Sequence, residues 1–147
     1  MKILIDADGS PVRKIVVRLA KKYQIRLLII SNVNHDIDED YGDHIMVDSG
    51  FDQADHEIIK HLEKGDLVIT QDYGLASLVL AKKGLALHQN GWFYRDETID
   101  ALLQKRYFNQ QMRKIKKRPP HIPKRSVEDN IKFEKALENY LKSLTTM

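Results

Sequence analysis

The chain has 147 residues, of which 42% are hydrophobic and 31% charged, so one globular domain is expected and a disordered chain is excluded. The absence of cysteine excludes disulfides, thiolate metal sites and cysteine nucleophiles, and no apolar run approaches the roughly 20 residues that cross a bilayer. The net charge of +3 conceals an asymmetry, because residues 105–125 hold nine Lys and Arg and no acid, whereas residues 1–104 hold twelve basic and seventeen acidic residues.

The first part of the chain alternates between apolar runs and one helical pattern. Residues 2–6 predict a short strand buried on both faces of a parallel sheet. A helix follows, with Ser10 as its N-cap and Pro11 at its first position, and it ends near Tyr23. Two further continuous apolar runs predict strands at residues 25–31 and 44–48.

The same alternation continues to about residue 88. The predicted elements are a helix at 53–62 capped by Asp52, a strand at 67–70, a helix at 75–83 that stops at Gly84, and a strand at 86–88. Strands alternating with helices imply βαβ crossovers. The predicted fold class is therefore α/β, a three-layer αβα domain with a mainly parallel central sheet.

The last third of the chain has a different composition. It predicts a short amphipathic helix at residues 98–107 and, at 116–124, an exposed linker with three prolines and a basic run. Ser126 and Asp129 then form a capping-box pair before a final amphipathic helix. We expect a domain at residues 1–108, to which residues 109–147 are appended as a basic linker and helix.

Aspartates follow the predicted strands at the ends where ligands bind in open parallel sheets. They are Asp6, Asp8, Asp48, Asp52, Asp55 and Asp72. Carboxylates that lie close together repel one another unless they are protonated or neutralised by a cation. Mg²⁺ and Mn²⁺ prefer oxygen ligands and can activate a bound water for attack on a phosphodiester. The pattern therefore favours a metal-dependent nuclease.

Each aspartate also has a structural interpretation. Asp8 can form a turn, Asp52 a helix cap and Asp66 the loop before a strand. Asp6 and Asp72 directly follow apolar strands, where a capping role is less natural. We therefore expect Asp6 and Asp72 to carry the chemistry. Asp55 is intermediate, because a structural and a functional role are both open for it.

The chain resembles the bacterial YaiI/YqxD family, which is assigned to the PIN-like nuclease superfamily. The resemblance runs nearly end to end and is carried by IDADGSPV, SNVNHDID, GFDQAD, GDLVITQDYGLA and QNG. It implies a PIN-like α/β fold with a nuclease-type acidic site. This sequence reads DGSPV where the family usually reads DACPV, so a role for that cysteine in relatives would be absent here.

The resemblance also implies roles for individual residues. Asp6, Asp55 and Asp72 match the catalytic acids of PIN domains, and Thr70 is the hydroxyl that often accompanies the last of them. Asp8 and Asp48 are supporting candidates. The implied metal ligands are Asp6, Asp8, Asp55 and Asp72.

Other motifs compete with this interpretation. IDADGS resembles the opening of haloacid-dehalogenase-type phosphatases, in which Asp6 would be the nucleophile, Ser31 the second motif, and Asp66 with Asp72 the last. No lysine clearly fills the third motif of that family. The acidic residues at 36–40 do not complete an EF-hand, and His56 and His61 are wrongly spaced for a zinc protease.

The basic segment at residues 105–125 is either a solvated surface or a contact with nucleic acid. Candidate nucleic-acid contacts are Arg106, Arg113, Lys114, Lys116, Lys117 and Arg118, with Tyr107 and Phe108 as stacking groups. The sequence thus predicts a cytoplasmic Mg- or Mn-dependent nuclease acting on RNA, with single-stranded RNA as partner and no membrane partner. A phosphatase and a non-catalytic RNA-binding protein stay open as alternatives, and so does a homodimer.

Overall fold

The structure is a computed structural model that describes residues 1–8, 10–32, 40–48, 53–116 and 124–145, and of residues 113–116 only the backbone. Its strands are β1 (Lys2–Asp6), β2 (Arg26–Asn32), β3 (Asp43–Val47), β4 (Leu67–Ile69) and β5 (Leu85–Leu87). Its helices are α1 (Arg13–Lys22), α2 (Gln53–His61), α3 (Tyr73–Ala81), α4 (Asp96–Lys116) and α5 (Val127–Thr145).

The five strands form one sheet in the order β3-β2-β1-β4-β5, and every pairing in it is parallel. Successive side chains of a strand point to opposite faces, so each buried strand feeds two cores. Ile3 and Ile5 pack with α1 and α5 on one face, whereas Leu4 packs with α2, α3 and the start of α4 on the other. The predicted αβα layering with a parallel sheet is confirmed.

The start of α1 differs from the prediction. Val12 is its N-cap and no side chain among the described residues caps it, so the prediction of Ser10 as N-cap and Pro11 at the first helical position was wrong. Proline with a preceding serine suits a turn as well as a helix start, and here these residues belong to the turn after β1. Ser10 is thereby left to line the cavity described below.

The C-terminal part of the chain is more helical than predicted. α4 continues unbroken from Asp96 to Lys116, well beyond the short helix expected at residues 98–107. The capping box is confirmed, since Ser126 N donates to Asp129 Oδ2 at 2.9 Å and Asp129 N donates to Ser126 Oγ at 3.3 Å. α5 buries Phe133, Leu137 and Leu141 in the core beside α1. The predicted Asp52 cap and residues 117–123 of the linker lie outside the described residues.

In the part of the chain that the structure describes, no helix has the length and apolar character of a membrane span.

Candidate active site

The order of the strands places a crevice between β1 and β4. From β1 the chain winds outward through β2 to β3, then returns to β4 on the other side of β1. Ligands of open α/β sheets bind where the winding direction reverses, beyond the carboxyl ends of the strands. Ile5 pairs with Ile69, so Asp6 and Thr70, one residue further along each strand, lie side by side at that point.

A cavity of about 240 Å³ opens at this reversal point. All four predicted metal ligands and the predicted hydroxyl line it: Asp6, Asp8, Asp55, Asp72 and Thr70. The described residues that line it include no Lys, Arg or His. Carboxylates gathered around one cavity offer the oxygen ligands that hard cations prefer.

A second depression of about 200 Å³ adjoins the first and shares Asp6, Asp8 and Asp55 with it. Asp48 and Asn32 line only this second depression, and Asp72 lines only the first. The predicted supporting residue Asp48 therefore lies on the same carboxyl edge as the others. It and Asp72 line different depressions, and the shared aspartates line both.

Backbone hydrogen bonds orient the first two aspartates. Asp8 N donates to Asp6 Oδ1 at 3.1 Å, and Asn32 N, at the end of β2, donates to Asp8 Oδ2 at 2.7 Å. Both side chains are half-buried. Asp8 lies in the turn after β1, as expected, and the bond from Asn32 N holds its carboxylate.

Asp72 is the N-cap of α3. Gly74 N and Leu75 N both donate to its Oδ1, at 2.8 and 3.4 Å, so the expectation that a capping role is less natural at this position was wrong. Among the described residues, the other oxygen, Oδ2, has no hydrogen-bond partner. The backbone N–H of Asp72 donates to Thr70 Oγ1 at 3.0 Å. Asp72 therefore holds α3 with one oxygen while the side chain lines the cavity.

An aromatic cluster that sequence reasoning missed lies directly behind Thr70. The Tyr94 hydroxyl donates to the Thr70 carbonyl at 3.1 Å, and the Tyr94 ring lies 4.7 Å from that of Trp92. Burial, with a smaller contribution from the Asp72 charge, raises the pKa of Tyr94, so the hydroxyl keeps the proton that it donates. The available signal was the aromatic run at residues 92–94 immediately after QNG.

Arg125 has a structural role that its sequence context concealed. It donates to the Gln89 carbonyl and to Asn90 Oδ1, each at 2.6 Å, and to Asn130 Oδ1 at 2.8 Å. Gln89 lines the cavity, so this clamp joins the cavity wall to α5. Arg125 belongs to the basic segment at residues 105–125, but its guanidinium is hydrogen-bonded within the protein.

The described residues fit a hard divalent cation in chemistry but do not form a complete ligand shell. No group of three or more His, Asp or Glu side chains in the described part of the chain is placed to hold a metal. Mg²⁺ does not require one, since it keeps several waters and is usually held by one or two carboxylates plus substrate phosphates. Carboxylates as the only charged groups among the described lining residues suit that mode of binding.

The geometry does not fit the phosphatase alternative. Asp66 lies at the amino end of β4, where Lys2 Nζ contacts it at 2.6 Å, whereas Asp72 follows the carboxyl end of that strand. The two acids of the supposed last motif are thus on opposite edges of the sheet. Ser31, the supposed second motif, is buried and is not among the residues that line either depression.

Of the predicted nucleic-acid contacts, Arg106 is the one whose side chain is described. Its guanidinium lies over the Tyr73 ring, 5.7 Å from the ring centre. Arg113, Lys114 and Lys116 belong to α4 but their side chains are outside the described residues, as are Lys117 and Arg118 altogether. Tyr107 and Phe108 are exposed, at 66% and 62%.

Relatives of similar length match nearly the whole chain. A UPF0178 protein of Alkaliphilus oremlandii (strain OhILAs) is 52% identical over 141 residues, which are 96% of this chain and 91% of that protein. A UPF0178 protein of Enterococcus faecalis (strain ATCC 700802 / V583) is 43% identical over 145 residues, covering 97% of this chain and 98% of the relative.

Among solved structures, that of Rae1 (YacP) from Bacillus subtilis (W164L mutant) aligns with 98% of this chain and 99% of its own, at 16% identity and a TM-score of 0.44. The sequence profile of the Uncharacterized BCR, YaiI/YqxD family matches residues 4–143. That match and the relatives at 43–52% identity support one conclusion: the chain belongs to the YaiI/YqxD family.

Proposed function

We propose that this protein is a divalent-metal-dependent nuclease that hydrolyses phosphodiester bonds in RNA. One observation carries the proposal: Asp6, Asp8, Asp55 and Asp72, from three separate parts of the chain, line one cavity at the reversal point of the sheet. Structural needs account for single members, such as the cap by Asp72, but not for their convergence. A hydrolase for anionic substrates needs such a cation-binding edge.

The aspartates divide the work by their positions. Asp6 lies at the reversal point and Asp72 lines the same cavity from the start of α3, so these two residues are the proposed direct ligands. Asp55 and Asp8 also line the cavity and would bind the metal either directly or through metal-bound waters. A bound Mg²⁺ or Mn²⁺ supplies an activated water and offsets charge on the phosphate. Thr70 Oγ1 fixes the backbone at Asp72 and so positions that carboxylate.

The basic residues of α4 supply the attraction for the substrate backbone. Lys105 and Arg106 are exposed on a helix that packs against α3, the helix that Asp72 caps. Cationic side chains on a helix beside a carboxylate-lined cavity would attract a polyanion toward a metal bound there.

The test is cleavage of an end-labelled single-stranded RNA by the purified protein with Mn²⁺ or Mg²⁺. We expect Asp72→Asn to lower the cleavage rate at least about 100-fold, because it removes the ligand charge while asparagine keeps the side-chain size. The matched control is Asp100→Asn, the same change at an exposed aspartate of α4 that lines neither depression.

The outcomes separate the three candidate functions. Cleavage that survives in Asp72→Asn at the control rate would remove Asp72 from the mechanism. RNA binding without cleavage under any metal would favour the non-catalytic alternative. Release of phosphate from a small phosphomonoester, with phosphate trapped on Asp6, would favour the phosphatase.

A further inference from the structure

A further cavity lies between the start of α3 and the middle of α4. It has a volume of about 380 Å³ and is lined by Tyr73, Leu102, Lys105, Arg106, Asn109 and Gln110, a set that we call the α3–α4 groove. Tyr73 directly follows Asp72 in the chain. The linings of the two cavities thus include residues that are consecutive in the chain, with Cα atoms about 3.8 Å apart.

The chemistry of the groove is that of a nucleotide site. The Arg106 guanidinium over the Tyr73 ring forms a flat, cationic and aromatic surface, with 5.7 Å between the guanidinium carbon and the ring centre. Bases of single strands stack on aromatic rings and on guanidinium planes. Asn109 and Gln110 carry amides that can pair with base edges, and exposed Lys105 can contact a phosphate.

We propose that the α3–α4 groove binds one nucleotide of a single-stranded RNA, next to the phosphodiester that enters the acidic cavity. The inference rests on the proposed function for the identity of that phosphodiester. A single strand is required because the faces of bases in a duplex are already stacked and cannot reach a side-chain platform. The two cations of the groove complement the charge of such a strand.

The groove also identifies which aromatic residue stacks. Tyr107 and Phe108 are strongly exposed and do not line the groove. The face of α4 that lines the groove carries residues 102, 105, 106, 109 and 110, and Tyr107 and Phe108 fall outside it. Tyr73, on another helix and 33 residues earlier in the chain, takes that place and was not identifiable from sequence spacing.

The test measures the Kd of the full-length protein for a fluorescent oligouridylate, which has no stable duplex form. The measurement is made in EDTA, so that neither metal binding nor cleavage contributes. We expect Arg106→Gln to weaken binding about five- to tenfold, within the range known for loss of one stacked base. Arg106→Lys should recover only part of the loss, because lysine keeps the charge but not the plane.

Two further variants make the measurement specific. Tyr73→Leu keeps an apolar side chain against the core and should weaken binding as much as Arg106→Gln. Lys60→Gln removes one exposed charge near the end of α2, at the opposite edge of the sheet, and should change the Kd less than about twofold. Far-UV circular dichroism confirms that each variant folds.

The results decide the groove and the nuclease separately. Equal binding by Arg106→Gln, Tyr73→Leu and Lys60→Gln, full recovery by Arg106→Lys, or no saturable binding by the unchanged protein would overturn the groove. Cleavage of RNA with Mn²⁺ by the unchanged protein is scored independently. Binding that depends on the groove without any such cleavage supports the groove and rejects the nuclease.

Discussion

The aspartates at the two edges of the sheet have different surroundings. At the amino edge, Asp66 is buried and is met by Lys2 Nζ at 2.6 Å and by the backbone N–H groups of Lys2 and Glu63 at 3.1 and 2.8 Å. At the carboxyl edge, four aspartates line an open cavity whose described lining residues include no Lys or Arg. At the amino edge, the fold neutralises the buried Asp66 with a lysine and with backbone donors. The aspartates gathered at the other edge are the proposed metal ligands.

The largest expected effect is a loss of stability caused by a substitution at the amino edge. Lys2→Met would leave the Asp66 carboxylate buried with only backbone donors, and removing one member of a buried ion pair costs about 3–5 kcal/mol. We expect that loss in the free energy of unfolding, measured by urea denaturation at neutral pH. RNA cleavage by the molecules that remain folded should be unaffected, because this pair lies at the edge opposite the cavity.

The control is the same substitution in an exposed pair. Lys21 Nζ contacts Asp40 Oδ2 at 2.8 Å, but both side chains are more than half exposed, so Lys21→Met should have little measurable effect. An equal loss in both variants would mean that lysine removal itself, and not burial of Asp66, sets the cost. The contrast between the two edges would then lose its energetic basis.

Acid titration should affect the carboxyl edge first, through His88. Burial, and then the nearby Arg125 charge, lower the pKa of His88 from 6.5 to about 4. His88 Nδ1 also accepts the Asn90 N–H at 3.0 Å, which a protonated ring cannot do. The unfolded chain thus binds this proton more tightly than the folded protein does. Stability should fall as the pH drops from about 6.5 to 4, by on the order of 3 kcal/mol.

The variant His88→Gln separates this response from that of the amino edge. Burial alone would raise the pKa of Asp66, but the hydrogen bonds from Lys2 and Glu63 outweigh it and lower the pKa below 3.8. Its contribution is therefore complete above pH 3.8 and is lost only as the pH falls through the lowered value. His88→Gln should flatten the unfolding free energy between pH 6.5 and 4. A slope unchanged in this variant would assign the titration to other groups.

The sequence predicted the sheet better than the ends of the helices, for a physical reason. Strands buried on both faces, such as β1 and β2, must be continuously apolar, and that signal is local. Ser10-Pro11 fits a turn and a helix start equally well, and in the structure these residues lie in the turn. α4 extends past residue 107 on helix-favouring Gln, Arg, Lys and Met without an apolar stripe, which periodicity cannot detect.

For the candidate site, sequence reasoning identified the acids but not the groups that hold them. Asp6, Asp8, Asp55 and Asp72 follow from the rule that ligands bind beyond the carboxyl ends of strands, and the structure places all four around one cavity. Their catalytic and metal-binding roles stay predictions. Tyr94 and Arg125 depend on contacts between segments 24 and 36 residues apart, which a single sequence does not encode locally.

The smallest expected effect separates the two roles of Asp72. Asp72→Ala removes the acceptor for Gly74 N and Leu75 N and should cost about 1 kcal/mol of stability, whereas asparagine caps helices as well as aspartate does and should cost only a few tenths. Thermal unfolding of the two variants at neutral pH measures this difference.

If Asp72 were only a cap, Asp72→Asn would be normal in every assay. If its charge serves a metal, Asp72→Asn should unfold like the unchanged protein and yet fail to cleave RNA. Equal destabilisation by alanine and asparagine would mean that the helix needs the charge itself, and the carboxyl edge would then resemble the amino edge.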